Sequence, residues 1–238
     1  MKASLGGVLR EKSRWLVVIF YSLAMAWVES AVVHYLRTTI DRVQPYQPNP
    51  LPAAFNYGSI ELVREAATLL MLILVGWLAG KNQRTRFGYS LLAFGIWDIG
   101  YYGFLFWMNG WPGSLADWDI LFLLPLPWWG PVWAPVVISL LMIATGTLLT
   151  QSNRSLGVKG PQRIAWGLAF SGALLALYTF MAEAIQHLPQ GEAAIRNLLP
   201  STFHWPLFVV SLGLMSVPLW MMAVKAGMIR PEKEGSAL

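Results

Sequence analysis

The sequence contains no cysteine and little charge. The lack of cysteine excludes disulfide bonds, thiolate metal ligands, iron–sulfur clusters and cysteine nucleophiles. Asp, Glu, Lys and Arg make up 12% of the 238 residues, about half the fraction that is usual in soluble domains. Hydrophobic residues make up 56% of the chain, and the mean hydropathy is +0.51. These properties indicate an integral membrane protein.

The standard signatures of several enzyme classes are also missing. The chain has no HExxH, no GxSxG and no Walker loop, so the common motifs of zinc proteases, hydrolases and nucleoside triphosphatases are excluded. The ten methionines are scattered and do not indicate a thioether copper site. In a membrane protein the net charge of +5 reports topology, so it does not indicate a nucleic-acid partner.

Hydropathy predicts an all-α protein, a bundle of six transmembrane helices that forms one domain over residues 1–238. Each apolar run is close to the 20 residues that cross about 30 Å of hydrocarbon. The predicted spans are about 15–36, 59–80, 87–108, 131–150, 164–187 and 205–228.

The basic residues predict the orientation of these spans. Of the 17 Lys and Arg residues, 13 lie in the N-terminal tail, the 2–3 loop, the 4–5 loop and the C-terminal end. Basic residues concentrate on the cytoplasmic side of a membrane. We therefore expect both termini in the cytoplasm, with the chain in a bacterial inner membrane.

The connection between spans 3 and 4 is too apolar for a solvated loop. Ser114 and Asp117 have the spacing of a capping box, which predicts a short helix from Leu115. Pro125 and Pro127 would end that helix. We expect an interfacial or re-entrant helix here.

Ionisable residues occupy one half of the predicted bundle. Every acidic residue within a predicted span, and all three histidines, fall at mid-membrane or in the extracytoplasmic half. Charged groups at such depth are costly and mark functional sites. The candidate metal ligands are Glu29, Glu61, Glu65, Asp98, Glu183, His187 and His204. The candidate catalytic or substrate-orienting residues are Arg64, Tyr101 and Tyr102.

Helical spacing groups some of these residues. Glu61 and Glu65 share one helix face, as do Glu183 and His187, which lie above a stripe of small residues in 172–179. Glu29 has no partner on its own helix. Four helices each contribute a carboxylate, and together these carry more negative charge than Arg64 alone can neutralise. We therefore expect that some of the carboxyl groups are protonated or that a cation is bound.

These patterns leave three functions open. Inward carboxylates and imidazoles are typical of di-metal sites in bundles, although the Glu-x-x-His spacing of those sites is absent. A membrane metalloenzyme with iron, zinc or manganese, acting on a lipid-like or quinol-like substrate, is the first hypothesis. A non-catalytic subunit or assembly partner of a larger membrane complex is the second, and a small proton-coupled transporter is the third.

Ordinary structural roles compete with these hypotheses at several positions. Glu61 and Arg64 have the spacing of a salt bridge at a helix end. His187 could contact the carbonyl groups at its helix C-terminus. Asp117 and Asp119 are expected to be caps or solvated residues.

Overall fold

Each predicted apolar run forms a long helix. The computed structural model describes residues 2–47, 58–155 and 163–226, and the following statements concern those ranges. Six of the helices are long and apolar enough to cross a membrane. The elements are α1 (Lys2–Thr39), α2 (Gly58–Ala79), α3 (Gln83–Asn109), β1 (Trp118–Ile120), β2 (Trp129–Pro131), α4 (Trp133–Ser155), α5 (Arg163–His187), α6 (Glu192–Arg196) and α7 (Trp205–Lys225).

Local sequence determines several helix ends. The Asn82 side chain accepts a hydrogen bond from Thr85 N, and the Thr85 hydroxyl accepts one from Asn82 N, which makes a reciprocal cap for α3. Gly110 ends α3 with a φ of 74°, a conformation that favours glycine. The short α6, which follows a 3-10 turn (Leu188–Gln190), has no counterpart among the predicted elements.

The helix packing centres on α3. Helices α1, α2 and α4 all pack against α3, while α5 packs against α7, which also contacts α4. A Cβ atom on Gly146 of α4 would lie 2.4 Å from the Gly88 carbonyl oxygen of α3, so only glycine permits this approach. The small residues Gly172, Ala176 and Thr179 of α5 are buried, as predicted for a bundle-facing stripe.

The connection between α3 and α4 is a β-hairpin, and the predicted helix from Leu115 is wrong. Strands β1 and β2 pair antiparallel, with Asp119 opposite Gly130. A capping box would need the Asp117 backbone N–H to donate to the Ser114 hydroxyl. That N–H donates instead to the Ser114 carbonyl (3.1 Å), and the Asp117 carboxylate turns back to accept from Gly113 N (2.9 Å). The chain therefore makes a turn and enters a strand.

The segment after α5 packs onto this hairpin. Leu198 and Ala184 form a buried cluster with Trp129 of β2. The Tyr46 hydroxyl, beyond the end of α1, donates a hydrogen bond of 2.9 Å to the Pro200 carbonyl. The three connections at this end of the bundle are thus held together.

A buried acidic residue also lies toward the opposite end of α1. Glu11 is 8% exposed, and one of its oxygens accepts a hydrogen bond of 2.8 Å from the Tyr89 hydroxyl. Glu11 lies outside the predicted span 15–36 but within the first candidate membrane span, Glu11–Thr39. The first helix extends farther toward the N-terminus than the predicted span 15–36.

Candidate functional site

One cavity of about 330 Å³ contains most of the predicted site residues, and we call it the polar cavity. It lies among α1, α2, α3, the hairpin and the residues that follow α6. Seven of the ten candidates line it: Glu29, Glu61, Arg64, Glu65, Asp98, Tyr101 and Tyr102. Arg37, Arg42 and Asp119 also line it and were not among the candidates.

Glu29, the residue without a local partner, is paired with Arg64. One Arg64 nitrogen donates to a Glu29 oxygen, and Arg64 Nε donates to Glu61 at 2.8 Å. The second Glu29 oxygen accepts a hydrogen bond of 3.1 Å from Thr68. This network joins α1 to α2, and the Glu61–Arg64 salt bridge is the one that the sequence spacing allowed.

Glu65 binds the backbone of the hairpin. Its two oxygens lie 3.1 and 2.9 Å from Leu123 N, which donates to them, and Glu65 is 7% exposed. Glu65 forms no ion pair with the residues described in the structure. It therefore positions the chain that follows β1 while keeping an unpaired carboxyl group at the cavity wall.

Arg37 and Asp119 form a buried ion pair at 2.8 Å. Arg37 also donates to the Tyr101 hydroxyl at 3.3 Å, and its guanidinium lies 4.2 Å from the centre of the Trp111 ring. Asp119 is fully buried, so the expectation of a cap or solvated residue is wrong. Burial raises the pKa of Asp119 above its ordinary value, and the Arg37 charge opposes that shift.

Asp98 lies deeper in the bundle, beneath the two tyrosines. Its carboxyl group accepts a hydrogen bond of 2.8 Å from the Ser139 hydroxyl of α4, and the residue is 7% exposed. The aromatic rings of Tyr101 and Tyr102 contact each other edge-on above it. As with Glu65, the structure places no ion-pair partner for Asp98 among the described residues.

The remaining three candidates lie elsewhere. A Glu183 oxygen accepts hydrogen bonds from Ser201 N (3.0 Å) and Thr202 N (2.8 Å), which fixes the approach to α7. The His187 ring contacts the Glu183 carbonyl at 2.7 Å, as expected of a residue at a helix C-terminus. His204 is the N-cap residue of α7, where its side chain makes no capping bond.

The candidate ligands do not converge on a metal centre. Across residues 2–47, 58–155 and 163–226, no group of three or more His, Asp or Glu side chains could hold a metal ion. Glu29 is occupied by Arg64, Glu65 by a backbone N–H and Glu183 by the chain before α7. The metal hypothesis thus lacks a supporting geometry in the described part of the chain.

A second cavity, of about 510 Å³, adjoins the first and is almost entirely apolar. It lies between α3, α4, α5 and α7, and we call it the apolar cavity. Asp98, Leu121 and Phe122 line both cavities. The apolar cavity's other lining side chains with a polar N or O atom are Ser139, Thr145, Trp128 and Trp166.

Sequence reasoning missed Arg37, Arg42 and Asp119 because their partners are distant along the chain. The distribution of basic residues in the sequence places Arg37 and Arg42 in the extracytoplasmic loop between spans 1 and 2. A usable signal was Asp119 itself, a carboxylate between Trp118 and Ile120 in an apolar segment. Such a residue needs a cation, and Arg37 is predicted on the same side of the membrane.

No known protein family matches the chain, and no curated protein or solved structure is detectably similar to it.

Proposed function

We propose that this protein binds an amphiphilic, lipid-like or quinol-like molecule inside the bacterial inner membrane, with both termini in the cytoplasm. The observation that carries the proposal is that a polar and an apolar cavity share three lining residues, Asp98, Leu121 and Phe122. The polar group of the ligand occupies the polar cavity, and its hydrocarbon part occupies the apolar one.

The sizes and linings of the cavities support this assignment. Volumes of about 330 and 510 Å³ lie within the range of roughly 300–1,000 Å³ that is common for small-molecule sites. A side chain such as Phe170, Leu177 or Met142 offers an alkyl chain only apolar contacts. The polar cavity supplies guanidinium, carboxyl and phenol groups for orientation.

The protein acts on the polar group of the ligand through proton exchange. Glu65 and Asp98 carry this role because neither carboxyl is ion-paired within the described ranges. Tyr101 and Tyr102 orient the ligand, and Arg64 positions the carboxylates of Glu29 and Glu61 in the wall of the same cavity. The proposal requires no metal.

The other two hypotheses have less support. A proton-coupled transporter needs a polar path beyond Asp98, and the lining of the apolar cavity offers no ionisable side chain besides Asp98. A non-catalytic subunit needs no cavity lined by ionisable groups. Protein partners in the membrane remain compatible with amphiphile binding.

Filling the apolar cavity tests the proposal. Protein purified in a mild detergent is extracted with organic solvent, and the co-purified lipids are quantified per chain by mass spectrometry. Ala173→Trp places an indole in the cavity, whereas Leu174→Trp, on the neighbouring residue that is 52% exposed, serves as the matched control. Met142→Trp fills the cavity from α4 and guards against a folding defect in one variant.

We expect the wild-type protein and Leu174→Trp to retain the same amphiphile, and both cavity-filling variants to lose it by at least about tenfold, the change that 1.4 kcal/mol produces. Thermal unfolding of each variant checks that the fold is intact. Equal retention in all four proteins would overturn the proposal.

A further inference from the structure

We propose that the polar group of the bound amphiphile is an oxyanion, a phosphate or a carboxylate, held by Arg37 and Arg42. This inference rests on the proposed function of the two cavities. The apolar cavity explains how the hydrocarbon part is bound but does not identify the polar group. The inference identifies that group by its chemistry.

The polar cavity has unused hydrogen-bond donors. Among its described lining residues, the buried side-chain nitrogens without a hydrogen-bond partner are Arg37 Nη1, Arg42 Nη2 and Trp97 Nε1. The unpartnered acceptor in the same lining is Asp119 Oδ2, which belongs to a carboxylate already paired with Arg37. Buried polar groups are normally hydrogen-bonded, so this excess of donors matches a ligand rich in acceptors.

Arg37 is a buried residue of the cavity wall and not a solvated surface residue. It is 7% exposed, and its Nη2 atom is fixed by Asp119 and Tyr101. Trp111 covers the guanidinium plane. The Nη1 atom has no partner among the described residues, while the other contacts already fix the orientation of the guanidinium. Nη1 is therefore available to bind a ligand.

The end of α1 brings Arg42 back beside Arg37. Asp41 has a φ of 53°, Arg42 N donates to the Arg37 carbonyl at 2.7 Å, and Asp41 N donates to the Thr38 carbonyl at 3.2 Å. These bonds define a Schellman turn, which normally has glycine at the left-handed position. The turn brings the backbone of Arg42 back to that of Arg37, and both residues line the polar cavity.

The arginines of the cavity differ in their ion pairing. Arg64 is shared by two carboxylates, Glu29 and Glu61, whereas Arg42 forms no ion pair with a described residue. Arg37, Arg42 and Asp119 together therefore carry one positive charge beyond the Arg37–Asp119 ion pair. An oxyanion would neutralise it, and guanidinium groups bind phosphate and carboxylate through paired hydrogen bonds.

A series of ligands with one alkyl chain tests the inference. Dodecyl phosphate, dodecanoate, dodecanol and dodecylamine, together with inorganic phosphate, are titrated by calorimetry into the full chain in an uncharged steroid-glycoside detergent. Arg42→Gln removes the free guanidinium, and Arg163→Gln, at an exposed position at the start of α5, is the control. A double variant, Arg37→Gln with Asp119→Asn, removes the other guanidinium without leaving a buried carboxylate unpaired.

We expect the two anionic compounds to bind at least about tenfold more tightly than dodecanol. Arg42→Gln and the double variant should each abolish most of that preference by weakening the binding of the anionic compounds far more than that of dodecanol, while Arg163→Gln behaves as wild type. Equal or tighter binding of dodecanol or dodecylamine would overturn the oxyanion inference and leave amphiphile binding intact. Inorganic phosphate binding as tightly as dodecyl phosphate would support the oxyanion site but contradict the amphiphile proposal. Binding of none of the compounds would overturn both.

Discussion

Arg37 at the end of α1 donates a hydrogen bond of 2.8 Å to Asp119 of β1, although the two residues are 82 positions apart in the sequence. Both side chains are buried. This pair fastens the hairpin to the helices and closes one side of the polar cavity. If either side chain were removed, the other would be a buried charge without a partner.

Removal of Arg37 should therefore destabilise the fold. We expect Arg37→Gln to lower the free energy of unfolding at neutral pH by about 3–5 kcal/mol, the typical cost of an uncompensated buried charge. Asp119→Asn in the same chain should recover most of the loss. Unfolding in a denaturant, followed by tryptophan fluorescence, measures both effects.

Asp117→Asn is the control for that series, since the Asp117 carboxylate bonds the exposed backbone of Gly113 and Ser114. Its effect should stay near or below about 1 kcal/mol, as for an ordinary hydrogen bond. A loss in Arg37→Gln no larger than that of the control would contradict a structural role for the ion pair.

The raised pKa of Asp119 predicts a pH dependence of stability. A carboxyl group with a folded-state pKa above its unfolded value binds its proton more tightly when folded. Its stabilising contribution is complete below the unfolded pKa of about 4 and is lost as the pH rises through the folded pKa. As the pH rises from the unfolded-state pKa to the folded-state pKa, the wild-type protein should therefore lose stability relative to the Asp119→Asn variant.

Thermal unfolding of the two proteins at a series of pH values from about 4 to 8 measures this difference. Only the difference is informative, because other carboxyl groups titrate in both proteins. A difference that stays constant, or that grows in favour of wild type as the pH rises, would show that Asp119 does not have a raised pKa.

Hydropathy was sufficient to predict the six long helices because it depends on local composition. The observed ends of α2, α3 and α5 fall within a few residues of those predicted. The hairpin was not predictable in this way. Its strands are three residues long, and Asp119, which holds it in place, has its partner on α1.

The candidate site was also predictable only in part. Topology gives the depth of each ionisable residue, and depth alone grouped Glu29, Glu61, Glu65 and Asp98 correctly at one cavity. Depth does not say which helices are neighbours. Because α5 packs against α7 and not against α1 or α2, Glu183 lies outside the polar cavity despite its similar predicted depth.

Arg64 should be more important for stability than either of its carboxylate partners. Arg64→Gln leaves Glu29 and Glu61 close together without a cation, and we expect a loss of about 3 kcal/mol or more in the free energy of unfolding. Glu61→Gln leaves the Arg64–Glu29 pair intact and should cost about 1 kcal/mol or less. Denaturant unfolding of both variants tests the ranking, which a larger effect of Glu61→Gln would reverse.

Purified protein should contain no stoichiometric iron, zinc or manganese, even after growth with added metal. The physical reason is that Glu65 and Glu183 are engaged with different backbone segments, Leu123 in one case and Ser201–Thr202 in the other. Elemental analysis by mass spectrometry measures the content directly. Glu65→Ala and Glu183→Ala should leave it unchanged. Glu65→Ala should lower the free energy of unfolding by about 1–3 kcal/mol because the part-buried Leu123 N–H loses its acceptor. Glu183→Ala should cost about 1 kcal/mol or less because the exposed donors of Ser201 and Thr202 can bond to water instead. One metal ion per wild-type chain that both variants lose would establish a shared centre and restore the metalloenzyme hypothesis.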